Sequence, residues 1–353
     1  MTAQRNAHDR VTESILDLED CAPASLPLLR GFPPNPEAVA GQFLFEDCAS
    51  LANAQTFKSG ADWPLMWLKS NGLKRGHIAR TQILTIQGAD IRRLESNARV
   101  VGSCWSDADA DYCLLAGIQP DDLHASRPVQ ARQVFENIER ILNQAGMSFR
   151  NVVRTWLFLD SLLDWYGDFN TVRTDFFKRN GVLDGLVPAS TGIGAGNPSG
   201  AALLAGAVAI RPKHAGVQIT AVDSPLQCSA MNYNSSFSRA VELGLSDQRR
   251  LMISGTAGIA PDGASAHRGD VKAQIGLTMG VVQAILHSRG MNWESAVRAI
   301  AYFTRHEDRP LLAEYLCAHG ISHLPVVCAH ADVCRHDLLF EIELDAVASR
   351  DGK

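Results

Sequence analysis

Short runs of apolar and β-branched residues punctuate the chain at Thr81–Gln87 (TQILTIQ), Ala98–Cys104 (ARVVGSC) and Gly216–Val222 (GVQITAV), and each predicts a strand. Between such runs the apolar spacing becomes helical, and the whole succession occurs twice. Asn137–Asp160 (NIERILNQAGMSFRNVVRTWLFLD) and Val281–Arg305 (VVQAILHSRGMNWESAVRAIAYFTR) share Ile-Leu, then Gly-Met, then an aromatic residue, then Val-Arg, all at one offset. Upstream, Gly117-Ile118-Gln119-Pro120-Asp121 matches Gly258-Ile259-Ala260-Pro261-Asp262. Downstream, Pro188–Ile210 and Pro325–Val347 have the same length between equivalent ends. Each copy reads as strand, turn, long amphipathic helix, Gly-Met turn, apolar strand, second helix and final strand, an α+β succession.

The copies differ in polarity at a few points. In the shared register Leu204 corresponds to Glu341 and Asn197 to Cys334, so a carboxylate stands in one copy where the other is apolar. Such a difference inside a preserved apolar pattern marks a candidate site in the second copy. The expected organisation is an N-terminal arm over 1–40, Pro-rich around Gly31–Pro36, a divergent first domain over 41–215 and a second domain over 216–348. Residues 40–110 read as the altered front part of the first copy.

Composition adds limits. A chain of 353 residues with 46% hydrophobic and 20% charged residues can bury sizeable cores. A net charge of −5 without any run of Lys and Arg argues against a nucleic-acid partner, since Arg92-Arg93 and Arg249-Arg250 are too short to hold a phosphate backbone. The N-terminal residues are charged where a signal peptide is apolar, and no stretch reaches the ~18 apolar residues of a membrane span, so a cytoplasmic protein without a membrane partner is expected. Eight cysteines show neither CxxC pairing nor a disulfide pattern, and His330 and His336 lack metal-ligand spacing.

The second copy, with FSRA, MISGTAGIAPDG, HSRGMNWESAV and LFEIELDAV, resembles the RidA/YjgF family, small α+β proteins with a chorismate-mutase-like fold. With WLFLDSLLDWYGDFNTVRTDFF and PASTGIGAG in the first copy, the tandem pair is more narrowly similar to the chorismatases, over roughly residues 90 to 348. The resemblance implies two tandem RidA-like domains and cleavage of chorismate to pyruvate and 3-hydroxybenzoate, with some 4-hydroxybenzoate. It implies no cofactor. Modules of this kind associate as trimers, so a monomer and a homotrimer are both compatible with the pair. An arginine that RidA-like imine deaminases carry is replaced here by Ser190 and Val327, which counts against that activity.

Within that resemblance Glu341 is the general acid. Protonating an enolpyruvyl ether requires one positioned acid whose pKa is raised towards working pH, and the neighbours Leu339, Phe340 and Ile342 offer the burial that does this. Alternation also places Glu341 and Glu343 on one strand face, the pattern of a solvated edge. Cys334 matches the place where a cysteine accompanies release of an aromatic product; its other reading is a buried structural thiol. Tyr166 and Arg173, seven apart on one helix face, and Tyr233 with Arg239 are candidates for the substrate carboxylates. Arg154 ranks after them because Arg298 occupies the equivalent place in the second copy, which suggests a shared structural role. Gly192–Gly196 lacks the context of a dinucleotide fingerprint and reads as a tight turn bordering the site. Four other readings stay open: chorismate hydrolysis to a dihydroxycyclohexadiene carboxylate, imine deamination, a non-catalytic small-molecule binder, and an iron-dependent pteridine oxygenase.

Overall fold

The computed structural model describes residues 11–21, 36–46, 62–69, 78–233 and 235–350. Their strands form three sheets. The first contains β1 (Thr12–Cys21), β2 (Val39–Glu46), β3 (Leu65–Lys69) and β4 (Ile78–Gln87), in the order β1-β4-β2-β3. The second contains β5 (Arg92–Ser96), β6 (Arg99–Ser106), β7 (Ala110–Ile118), β8 (Val152–Leu159), β9 (Ala189–Gly194) and β10 (Leu203–Pro212), in the order β5-β6-β7-β10-β8-β9. The third contains β11 (Gln218–Val222), β12 (Ala240–Gly244), β13 (Gln248–Ala257), β14 (Ala296–Phe303), β15 (Val326–His330) and β16 (Phe340–Ser349), in the order β11-β12-β13-β16-β14-β15. The two six-stranded sheets superpose in topology, and Leu204 against Phe158 matches Glu341 against Tyr302, the register read from the repeat.

Four helices cover the outer faces of those two sheets: α1 (Arg127–Gln144) and α2 (Tyr166–Arg179) on the second, α3 (Val271–Ser288) and α4 (Arg309–Ala318) on the third. In α1 the residues Ala131, Val134, Phe135, Ile138, Ile141 and Leu142 are buried, one apolar stripe at helical spacing. The Asp270 side chain accepts the Ala273 N–H at 3.0 Å and caps α3. Gly146 and Gly290, in the paired Gly-Met turns, end α1 and α3 at φ 67° and 66°, a conformation that a side chain resists.

The N-terminal region departs from the expectation. The strands β2, β3 and β4 do not supply the front of the first module, which begins at β5; they build the separate four-stranded sheet with β1, which lies within the expected arm. The expected first-domain range of 41–215 therefore includes an additional sheet. Residues 31–35 of the Pro-rich stretch lie outside the described residues.

That additional sheet has an informative order. Its first, fourth, second and third strands follow one another as do β7-β10-β8-β9 and β13-β16-β14-β15, with the same single parallel pair in each. Its four strands repeat the core strand order of the module a third time. The three sheets share a core that includes Phe43, Trp156, Phe158, Ile300 and Tyr302, on the faces of the second and third sheets away from their helices. Edge strands join the sheets: Lys69 bridges to Gly196, and Gly194 to Asp332.

Candidate active site

The cavity that gathers the predicted residues lies between the second and third sheets rather than inside the C-terminal module. It has a volume of about 180 Å³. Tyr166, Asn170 and Arg173 reach it from α2 and Ser190 and Gly192 from β9, all from the first module. The second module supplies Tyr233 and Arg239 from the segment before β12, Cys334 and Arg335 from the β15–β16 connection, and Glu341 from β16. Thus Glu341, Cys334, Tyr166, Arg173, Tyr233 and Arg239 line one cavity although up to 175 residues separate them in sequence, from Tyr166 to Glu341.

Glu341 is buried, only 5% exposed, so the solvated-edge reading of its strand face does not hold. Its carboxyl lies against Gly255 of β13 and makes no hydrogen bond among the described residues. Burial, reinforced by the neighbouring Glu343 charge and opposed by Arg154 and Arg239, pushes its pKa up to about 8. At neutral pH it is a carboxylic acid, with a proton to give. Cys334 beside it is pushed up to about 12, by burial first and by Glu341 next, and therefore remains a thiol.

Three guanidiniums face the same space. Arg173 is 1% exposed and donates to Asn170 Oδ1 at 2.7 Å. Arg239 donates through Nε and Nη2 to the Cys228 carbonyl, at 3.0 and 2.8 Å. Arg335 donates through Nη1 to the Gly263 carbonyl at 2.8 Å. None of the three has an ion-pair partner among the described residues, although burial lowers the pKa of Arg173. Aromatic faces take the place of counter-ions: Arg173 lies over Phe169, Arg239 over Tyr233 and Phe237, and Arg335 over Tyr233, at 5.3 to 5.5 Å. Burying cations without carboxylates is costly unless an anion completes the site.

Arg154 stands apart from the cavity. Fully buried in β8, it pairs through Nη2 with Glu343 Oε2 at 3.0 Å and donates to Thr191 Oγ1 at 2.8 Å. Arg298 takes the other oxygen of Glu343 at 2.7 Å and Asp345 at 3.1 Å. The equivalent arginines of the two modules thus converge on one glutamate beneath Glu341, and a direct contact of Arg154 with substrate is not what its position offers. Of Gly192–Gly196, read as a tight turn, the part Gly192–Gly194 is the end of the parallel strand β9, because its backbone pairs with β8 on one side and Asp332 on the other. Sequence reasoning missed Arg335, Ser235, Phe237 and Gly255 as lining residues. Arg335 had a signal, since it directly follows Cys334.

Comparison with known proteins bears on the fold. Residues 115–213 match the family model described as Endoribonuclease L-PSP. A chorismatase of Streptomyces hygroscopicus is 27% identical over 265 residues, covering 69% of this chain and 73% of that protein. A 3-hydroxybenzoate synthase of the same organism is also 27% identical over 265 residues, covering 67% of this chain and 74% of that protein. A chorismatase crystal structure superposes with a TM-score of 0.69 at 20% identity, over 95% of this chain and 98% of the other. The chain is thus a homologue of the chorismatases and shares their fold, built from RidA/YjgF-type modules.

Proposed function

We propose that the chain cleaves chorismate, releasing pyruvate, with Glu341 as the general acid. The observation that carries this reading is a buried carboxyl held neutral in a cavity with three arginines that lack carboxylate partners among the described residues. A ring bearing two carboxylates and a protonatable enol ether matches that set of groups. The chorismatase and 3-hydroxybenzoate synthase relatives support the substrate class.

In this mechanism Arg173 and Arg239, from opposite walls, fix the two substrate carboxylates by charge-assisted hydrogen bonds. Tyr166 and Tyr233, whose hydroxyls burial keeps protonated, add donors that do not compete as bases. Glu341 transfers its proton to the terminal enol carbon, and positive charge develops at the ether carbon as an oxocarbenium ion. The adjacent ring hydroxyl then displaces the pyruvyl oxygen from its ring carbon; pyruvate leaves, and the resulting arene-oxide-like ring opens and loses a proton as it becomes aromatic. The atoms of chorismate divide between pyruvate and a hydroxybenzoate with no water consumed, and the proton released on aromatisation balances the one Glu341 gave.

Aromatising cleavage to 3-hydroxybenzoate, with some 4-hydroxybenzoate, is favoured over hydrolysis to a diol by Cys334 at the cavity wall. As a neutral thiol it excludes water and donates only weakly; it does not act as a nucleophile. Ser190 lines the cavity at the place where an imine deaminase carries arginine, which supports the chorismate reading over deamination.

The test is incubation of the purified protein with chorismate, following pyruvate release together with chromatography of the ring product. Pyruvate with 3-hydroxybenzoate is the expected result. Pyruvate with a non-aromatic diol would keep the substrate and remove the role of Cys334, and absence of pyruvate would overturn the reading.

A further inference from the structure

Beneath the cavity, the acid that faces substrate is backed by charges that never reach it. Glu343 follows Glu341 by two residues on the same face of β16, is 0% exposed, and is tied on both oxygens. Trp156 Nε1 donates to its Oε1 at 2.9 Å, and the Thr191 hydroxyl donates to it as well. Burial alone would raise its pKa, but Arg298 and Arg154 hold it low, so it is a carboxylate. We infer that Glu343 is a positioning residue for the acid: its charge, clamped by Arg154 of the first module and Arg298 of the second, keeps the Glu341 carboxyl neutral.

Charge balance in a dry space sets the protonation of the pair. Two arginines enter the cluster, and Glu343 with Asp345 opposes them. With Glu343 ionised, a negative charge on Glu341 would lie beside a like charge, and Arg154 is already paired to Glu343, which leaves Arg239 as the cation that opposes it. With Glu343 uncharged, the arginines would outweigh Asp345 and draw Glu341 into the carboxylate, which has no proton to deliver. Other groups facing Glu341 leave this balance standing. Tyr302, paired opposite it on β14, is buried and un-ionised, as are Tyr166 and Cys334 across the cavity. Arg239 is the one further cation that lowers its pKa, acting against Glu343 and in the same sense as Arg154. Because the clamp uses one arginine from each module, the protonation of the acid depends on the modules being docked.

This inference rests on Glu341 being the acid of the proposed reaction, but its test does not need turnover. Carbon NMR of labelled glutamate carboxyls, with Glu341→Gln to assign the signal, follows the titration of Glu341 directly. In Glu343→Gln the midpoint is expected to move down by about one pH unit or more. The paired variant E343Q/R298Q removes one charge of each sign, which a buried cluster tolerates better than a single loss, and is expected to move the midpoint in the same direction. An unchanged Glu341 midpoint in a folded variant of either kind overturns the inference. If the wild-type protein cleaves chorismate, kcat of the shifted variants is expected to fall about fivefold at pH 8 and to hold near pH 6, as a shift of this size dictates; a fall that is uniform with pH would mean a purely structural role. A shifted titration in a protein without turnover would sink the proposed function and leave the role of Glu343 intact.

Discussion

The carboxyl of Glu341 occupies the space that a side chain at Gly255 would fill, so a Cβ at Gly255 would collide with Oε1. The same atom would lie 3.2 Å from Thr191 Cγ2, leaving no room to retreat on the other side. Gly255 is thus part of how β13 seats the acid on β16, through absence of bulk, while its N–H donates to Thr191 Oγ1 at 3.1 Å. Gly255→Ala is expected to lower kcat by about tenfold or more while destabilising the fold by only about 1–3 kcal/mol, the range for overpacking a well-filled site. Steady-state kinetics beside thermal melting checks this; normal kcat in the variant would show that the carboxyl can sit elsewhere and still work.

Glu341→Gln keeps the shape of the side chain and removes its proton. Turnover is expected to drop by at least about 10²–10⁴-fold, the contribution of a general acid, with chorismate binding retained. Calorimetry on the inactive variant measures the binding, and pyruvate release near the wild-type rate would refute the assignment of the acid.

The raised pKa fixes the sign of the pH dependence. An acid with a midpoint of about 8 is competent below it, so kcat is expected to be level through neutral pH and to fall as pH rises through about 8. Stability has the same sense. A carboxyl whose folded pKa lies above its unfolded value contributes stability that is present below the unfolded pKa and is lost as pH rises through the folded one. Glu341→Gln is therefore expected to melt at a higher temperature than wild type above pH 8, with the difference shrinking towards acid pH. A melting difference independent of pH would contradict the buried, protonated state.

Arg173 has no carboxylate partner among the described residues, so the anion that completes it is expected to come from substrate. Arg173→Lys keeps the charge and loses the planar fork. KM is expected to rise about 10- to 150-fold, equivalent to losing a charged hydrogen bond of about 1.5–3 kcal/mol. A KM within twofold of wild type would assign the carboxylate to other residues.

Cys334→Ala tests what decides the ring product. Removing the thiol opens space for water beside the reacting edge, and the fraction of non-aromatic diol is expected to increase while total pyruvate release stays within a few-fold. Chromatography of the products at equal conversion reads the ratio, and an unchanged ratio returns Cys334 to a packing role.

Much of this molecule is written locally. Helical spacing, the Gly-Met turns and the offset between Pro188–Ile210 and Pro325–Val347 specify two modules and their register, and that register singles out Glu341 against Leu204. These signals survive because they concern neighbours along one chain segment: turn conformation, strand alternation and apolar stripes act over a few residues. The residue types at the site were legible for the same reason, since arginine, tyrosine and a glutamate that the other copy replaces with leucine are unusual enough to notice.

Tertiary structure decided the rest. Whether Glu341 and Glu343 face water or interior could not follow from alternation, because the pattern of a strand with polar residues on one face is the same whether a solvent layer or a second sheet covers it. Packing of the first module against that face turned a solvated edge into a buried acid beside a clamped carboxylate, and moved Arg154 from substrate to the clamp. The four-stranded sheet of β1, β2, β3 and β4 escaped notice because what it shares with the modules is strand order, and strand order is a property of long-range pairing that no local sequence signal records.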